Sequence, residues 1–154
     1  MFKIEAKAEL RNINCRAEAH GDEMVRAIDL KLIAIDADAS ALDSAINGFI
    51  NLYFDGEGNP QGAEAYPLRV RHKLDGATVT LKQGKQSAKF TDAVIKGIQL
   101  TPKTGRRTDA TFVVQARDYS DGVMDIITKW QREVVEIQVE ERQLDLPDMD
   151  QAAA

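Results

Sequence analysis

From Phe2 to Leu10 the chain alternates without a miss: Phe2, Ile4, Ala6, Ala8 and Leu10 are apolar, and Lys3, Glu5, Lys7 and Glu9 between them are charged. A period of two belongs to a strand with one face buried and one in water. At Arg11-Asn12 the phase slips, and Ile13, Cys15, Ala17 and Ala19 continue on odd numbers. An uncorrected slip would turn every later side chain to the wrong face, so a bulge near Asn12 is expected. His20-Gly21-Asp22-Glu23 is turn chemistry. Ile28, Leu30, Leu32 and Ala34 then resume the alternation. The opening reads as one long hairpin, residues 2–19 with 25–36.

The rest of the chain is read the same way. Leu42, Ala45, Ile46, Phe49, Ile50 and Tyr53 recur at helical spacing, which predicts a helix over Ser40–Phe54 capped by Asp38 or Ser40. The stretch 55–62 is a loop by composition. Two short strands, 68–74 and 77–82, flank Asp75-Gly76, a dipeptide that favours a two-residue hairpin turn. Strands follow at 94–100 and 110–117 around a polar loop, Thr101–Asp109. Ser120 caps a second helix whose apolar stripe is Val123, Ile126, Ile127 and Trp130, a pattern of core packing. Val135, Ile137 and Val139 mark a last strand. Strands with two interspersed helices predict an α+β domain, a mainly antiparallel sheet built from hairpins, over residues 1–142. Residues 143–154 are expected to be an acidic, disordered tail.

The 154 residues carry a net charge of −5, and its distribution is uneven. Residues 66–107 hold ten Lys/Arg against two Asp/Glu, whereas 1–65 hold six against twelve. Such asymmetry points to a surface for a polyanion. With a turn at Asp75-Gly76, register places Lys73 opposite Thr78, Arg71 opposite Thr80 and Arg69 opposite Lys82, all on one face without an acid. Lys103, Arg106 and Arg107 in the following loop extend that track, and Lys85 and Lys89 stand near Phe90. Arg69, Arg71, Lys73, Lys82, Lys85, Lys103, Arg106 and Arg107 are the candidate phosphate ligands. Phe90 and Tyr66 fall on apolar positions, which leaves few aromatics to stack on bases.

Catalytic and metal chemistry has little to stand on. Cys15, His20 and His72 alone do not fill a four-coordinate zinc site, and their spacing matches no finger. His72 falls on the apolar face. Asp36 and Asp38 read as an acidic helix entrance rather than a cation site. No nucleophilic triad, phosphate-cradling glycine loop or helix-borne His pair is present. No enzyme activity, cofactor or metal is expected. One cysteine, an alternating N-terminus and no run of about 18 apolar residues fit a cytoplasmic protein off the membrane.

A β-rich body, a basic segment and an acidic end through Glu140, Glu141, Asp145, Asp148 and Asp150 together resemble small phage and bacterial single-stranded-DNA-binding proteins. That resemblance implies non-enzymatic binding of single-stranded DNA, in phage replication or recombination, with a tail that competes for the basic groove. The chain departs from the group in ending on Ala152-Ala153-Ala154 rather than on an aromatic residue. The segments 10–14 and 27–30 also look like small phage proteins. The rival reading is a protein-interaction module, such as a phage-encoded inhibitor of a host enzyme or an assembly component, and a homo-oligomer is compatible with either.

Overall fold

The structure, a computed structural model, describes residues 3–38, 52–61, 68–70, 73–117 and 119–141. Its strands are β1 (Lys3–His20), β2 (Glu23–Asp38), β3 (Leu68–Arg69), β4 (Leu74–Gln83), β5 (Gln86–Lys103), β6 (Arg107–Arg117) and β7 (Val134–Glu140), with one helix, α1 (Asp121–Thr128), between β6 and β7. All pairings are antiparallel, in the order β5-β4-β7-β1-β2-β6, and β6 pairs back onto β5. The sheet therefore closes into a six-stranded barrel. β3 continues β4's lane along β5: Leu68 lies opposite Leu100, Arg69 opposite Gln99, and the Val70 N–H donates to the Ile98 carbonyl at 2.9 Å.

This corrects the α+β expectation. The fold is a β-barrel with a single short helix among the described elements. The expected helix Ser40–Phe54 falls mostly outside the described residues, as does the acidic tail. The first hairpin follows the alternation closely. β1 and β2 meet around a two-residue turn, Gly21-Asp22, and their register shifts between Leu10 and Asn12, at the sequence slip.

The Asp75-Gly76 hairpin does not exist. β4 runs through both residues, and Gly76 takes its φ of 72° inside the strand. The register shifts there by one residue and shifts back near Asp92, whose φ is 54°. Two bulges on facing strands thus cancel and keep the inward faces in step. The chain turns instead at Gly84-Lys85, with Gly84 at φ 60°. A glycine in the first central position fits a type II′ turn, whose twist matches the strands it joins.

Inward residues from every wall fill the barrel. Ile4, Leu10, Ile28, Leu30, Leu32, Leu81, Ile95 and Phe112 are fully buried. Phe90 is core, as its apolar position indicated. Ser120 caps α1, its Oγ accepting from the Val123 N–H at 3.3 Å. Ile127 and Trp130 carry the helix's stripe into the same core. After the helix, the Arg132 N–H donates to the Leu10 carbonyl and the Leu10 N–H to the Glu133 carbonyl, which starts the β1–β7 ladder at the barrel rim.

Candidate nucleic-acid interface

Because β4 does not fold back on itself, the acid-free basic face dissolves. Arg69 is exposed on β3, and Lys73 is exposed with its Nζ 3.9 Å from Asp75. Arg71 and His72 lie outside the described residues, as does Tyr66. Lys82 sits on the outer wall opposite Glu136 of β7, and Glu136 is in turn opposite Lys7 of β1. An acid thus separates two cations where an acid-free stripe was expected. Lys85 lies in the β4–β5 turn, while Lys103, Arg106 and Arg107 surround the β5–β6 turn at the far end of β5's 18 residues.

The β5–β6 cations are partly spoken for. The Lys103 ammonium lies 2.6 Å from Asp36 and 3.4 Å from Asp109. The hydrogen bond from Lys103 holds the Asp36 carboxyl below the usual carboxylate range, and the same contact raises the Lys103 pKa. Arg107 donates to the Asp36 carbonyl. Asp36 is therefore a clasp between β2 and the β5–β6 turn, not a helix entrance. Arg106 has its φ at 57° and its N–H on the Gly58 carbonyl at 3.0 Å, so loop 55–60 packs against this turn. That loop is ordered by Asp55, whose carboxylate accepts from the N–H groups of Glu57 and Asn59, each at 2.9 Å.

A different cationic face emerges from the register across β5, β6 and β2. Lys96 lies opposite Val113, Val113 opposite Lys31, and Lys31 opposite Asn12. The next outward row runs Arg69, Gln99, Thr111, Ile33 and Glu9. Strands are spaced by about 4.8 Å, so Lys96 and Lys31 stand about 10 Å apart on the wall. Arg69, Lys96 and Lys31 have no carboxylate within 4 Å among the described residues, and Gln99 and Thr111 add neutral hydrogen-bonding groups between them. Glu9 at the end of the row is paired with Arg11 at 3.2 Å. Lys31 and Lys96 escaped sequence reasoning. Each lies on a different strand, far apart in sequence, and only barrel closure makes them neighbours.

This wall runs into a cleft of about 460 Å³ between the end of the β1–β2 hairpin and strands β5 and β6, lined by His20, Val25, Thr91, Asp92, Val94, Gln115 and Arg117. Its charges are balanced. Arg117 Nε lies 2.7 Å from Glu18, and Arg16 bonds both Glu18 and, at 3.0 Å, Asp29. Cys15 is exposed and is not joined by other metal-ligating side chains: among the described residues, no group of three or more His, Cys, Asp or Glu converges. No described helix is long and apolar enough to cross a membrane. No protein-family model, curated protein or solved structure matches this chain.

Proposed function

We propose that the protein binds nucleic acid without catalysing its chemistry, through phosphate contacts from Arg69, Lys96 and Lys31 on the β5–β6–β2 wall. The observation that carries this reading is that, among the described residues, these three cations have no carboxylate partner, on a surface where other cations such as Lys103 and Arg16 have one. Charge-assisted bonds to phosphate are available to a cation that no internal acid already occupies. The aromatic side chains Phe54, Phe90, Phe112 and Trp130 are buried in the core, so the contacts on this wall are electrostatic rather than stacking. Single-stranded DNA in phage replication or recombination is the ligand and setting that the architectural resemblance implies. Exposed Leu52, Met24 and Val134 favour the second reading, a protein-interaction module.

Retention on immobilised single- and double-stranded oligonucleotides, followed across a salt series, tests the proposal. Three phosphate contacts predict a loss of about 20- to 40-fold in affinity between 50 and 200 mM salt. The variant Arg69→Glu/Lys31→Glu/Lys96→Glu should lose retention while keeping its β circular dichroism. Lys103→Ala, which removes a cation already held by Asp36 and Asp109, should bind nearly as the parent does. A folded triple variant with unchanged retention overturns the assignment.

A further inference from the structure

Among the described residues β1 leaves a long edge of the barrel unpaired, as β5 does over residues 86–93, where β6 does not reach. β7 pairs with β1 only from Lys3 to Glu9, and the contacts of Leu10 with Arg132 and Glu133 end that side. Beyond them β1 continues to His20, paired among the described residues with β2 alone. The turn at Gly21-Asp22 is two residues long, so His20 and Glu23 form a hydrogen-bonded pair. Backbone groups alternate sides along a strand. Even-numbered residues from Asn12 to His20 therefore bond to β2, and Ile13, Cys15, Ala17 and Ala19 present their N–H and C=O groups to the open edge. Asn12, Asn14, Cys15, Ala17, Ala19 and His20 are all exposed. Folded proteins guard such an edge with proline, lysine, a bulge or a covering segment. From Asn12 to His20 there is no proline and no lysine, and the bulge lies before the open stretch.

We infer that this edge pairs with the same edge of a second copy, antiparallel about a two-fold axis at Ala17. In that register Ala17 faces Ala17, Cys15 faces Ala19, and Arg16 faces Glu18 of the other copy twice. A register centred on Arg16 would set two guanidinium groups against each other, and one centred on Glu18 two carboxylates, both costly. The Ala17 register matches opposite charges on one face and small apolar side chains on the other. It spans residues 13–21, the whole open edge short of the Leu10 junction. It is also isologous, so pairing consumes the β1 edge of both copies at once. The β2 edge left over, Glu23–Arg26, is four residues long. The resulting sheet runs β2-β1-β1-β2 across the axis, with both copies' outward faces on the same side.

Sedimentation equilibrium of the full chain should show a monomer–dimer equilibrium. Ala17→Pro removes a donor that the β1–β2 ladder does not use, and each copy loses one bond across the axis. Dimerisation should weaken about tenfold or more while circular dichroism stays unchanged. Ala17→Cys in a Cys15→Ser background places two thiols across the axis, with Cα atoms about 5.5 Å apart, within disulfide range. Mild oxidation should link the chains in pairs. Ala19→Cys with native Cys15 should link them as well. A chain that stays monomeric up to its solubility limit overturns the inference. So does a dimer that Ala17→Pro leaves intact and that neither cysteine variant cross-links. Nucleic-acid retention is not a readout here, so failure of this pairing and failure of the proposed function are told apart.

Discussion

The barrel wall and the β1–β2 arm are the same hairpin in two states of partnership. Near Ala8 and Ala34 both strands have neighbours on either side, β7 and β6, and Leu10, Leu32 and Ala34 are sealed in the core. Among the described residues, β1 past Asn12 has only β2 beside it, and β2 before Ala27 has only β1. The alternation in sequence persists, but its odd-numbered residues shrink to cysteine and alanine, and Cys15, Ala17 and Ala19 are exposed. Closure is thus what gives the pattern its energetic value. A ladder with two neighbours buries its inner face, whereas a two-stranded ribbon is marginally stable in water and leans on its side-chain pairs. The arm has such pairs: Arg16 with Asp29 and Glu18, Arg117 with Glu18, and Arg26 with Asp121 of α1 at 2.6 Å.

The largest expected contrast is between core and tip. Phe112 is wholly buried on β6, and Met24 is 68% exposed beside the arm's turn. Phe112→Ala should cost about 3–5 kcal/mol of global stability, from lost transfer energy plus the cavity left behind. Met24→Ala should stay within about 0.5 kcal/mol of the parent. Urea unfolding monitored by Trp130 fluorescence measures both. Comparable losses would mean that the arm packs as part of the core and would end the contrast.

A finer probe applies the same backbone strain to both regions. Gly21 in the arm's turn has φ +64°, Gly97 in β5 has φ +63°, and a Cβ at either would meet nothing within 4 Å. Alanine at each therefore suffers only the left-handed conformation, about 1–2 kcal/mol. Gly97→Ala should lower the global unfolding free energy by that amount, because the β5–β6 seam closes the barrel. Gly21→Ala should appear instead as faster amide exchange confined to residues 13–26, with little change in the global transition. Equal global losses from the two would show that arm and barrel unfold as one cooperative unit.

Most of the local structure was legible, and the long-range structure was not. The slip at Arg11-Asn12 marked the β1 bulge, and Ser120 marked the cap, because each is a short-range rule with one physical solution. Asp75-Gly76 misled because a glycine with positive φ serves a tight turn and a bulge equally well. What separates the two is the partner strand, and β5's compensating bulge at Asp92 cannot be read from β4. Two of the hairpin turns that do form, Gly21-Asp22 and Gly84-Lys85, place glycine first, a cue the sequence carried. The cationic segment 66–107 was visible as a count. Its division among two turns, the acid-flanked Lys82 and the Arg69–Lys96–Lys31 wall follows from β6 pairing with both β5 and β2. That closure has no local signature.

Acid should separate the two regions most gently. Glu18 sits at the centre of the arm's polar face, and its pKa is pulled down to about 2 from an ordinary 4.5. The hydrogen bond with His20, 3.1 Å from Nε2, is the largest cause, followed by the bond from Arg16 and then by the charges of Arg117 and Arg16. A carboxyl whose folded pKa lies below its unfolded one favours folding fully above about pH 4.5, and that support is lost as pH falls toward about 2. The group is at the surface, so salt screens the effect and its size is small. Amide protection within residues 13–26 should therefore decline from about pH 4.5 downward, more clearly at low salt, before the barrel's own protection changes. Glu18→Gln lacks the titrating group and should show weaker protection with a flatter pH dependence over that range. If the parent and Glu18→Gln lose arm protection in parallel as pH falls, the arm is held by something other than this cluster.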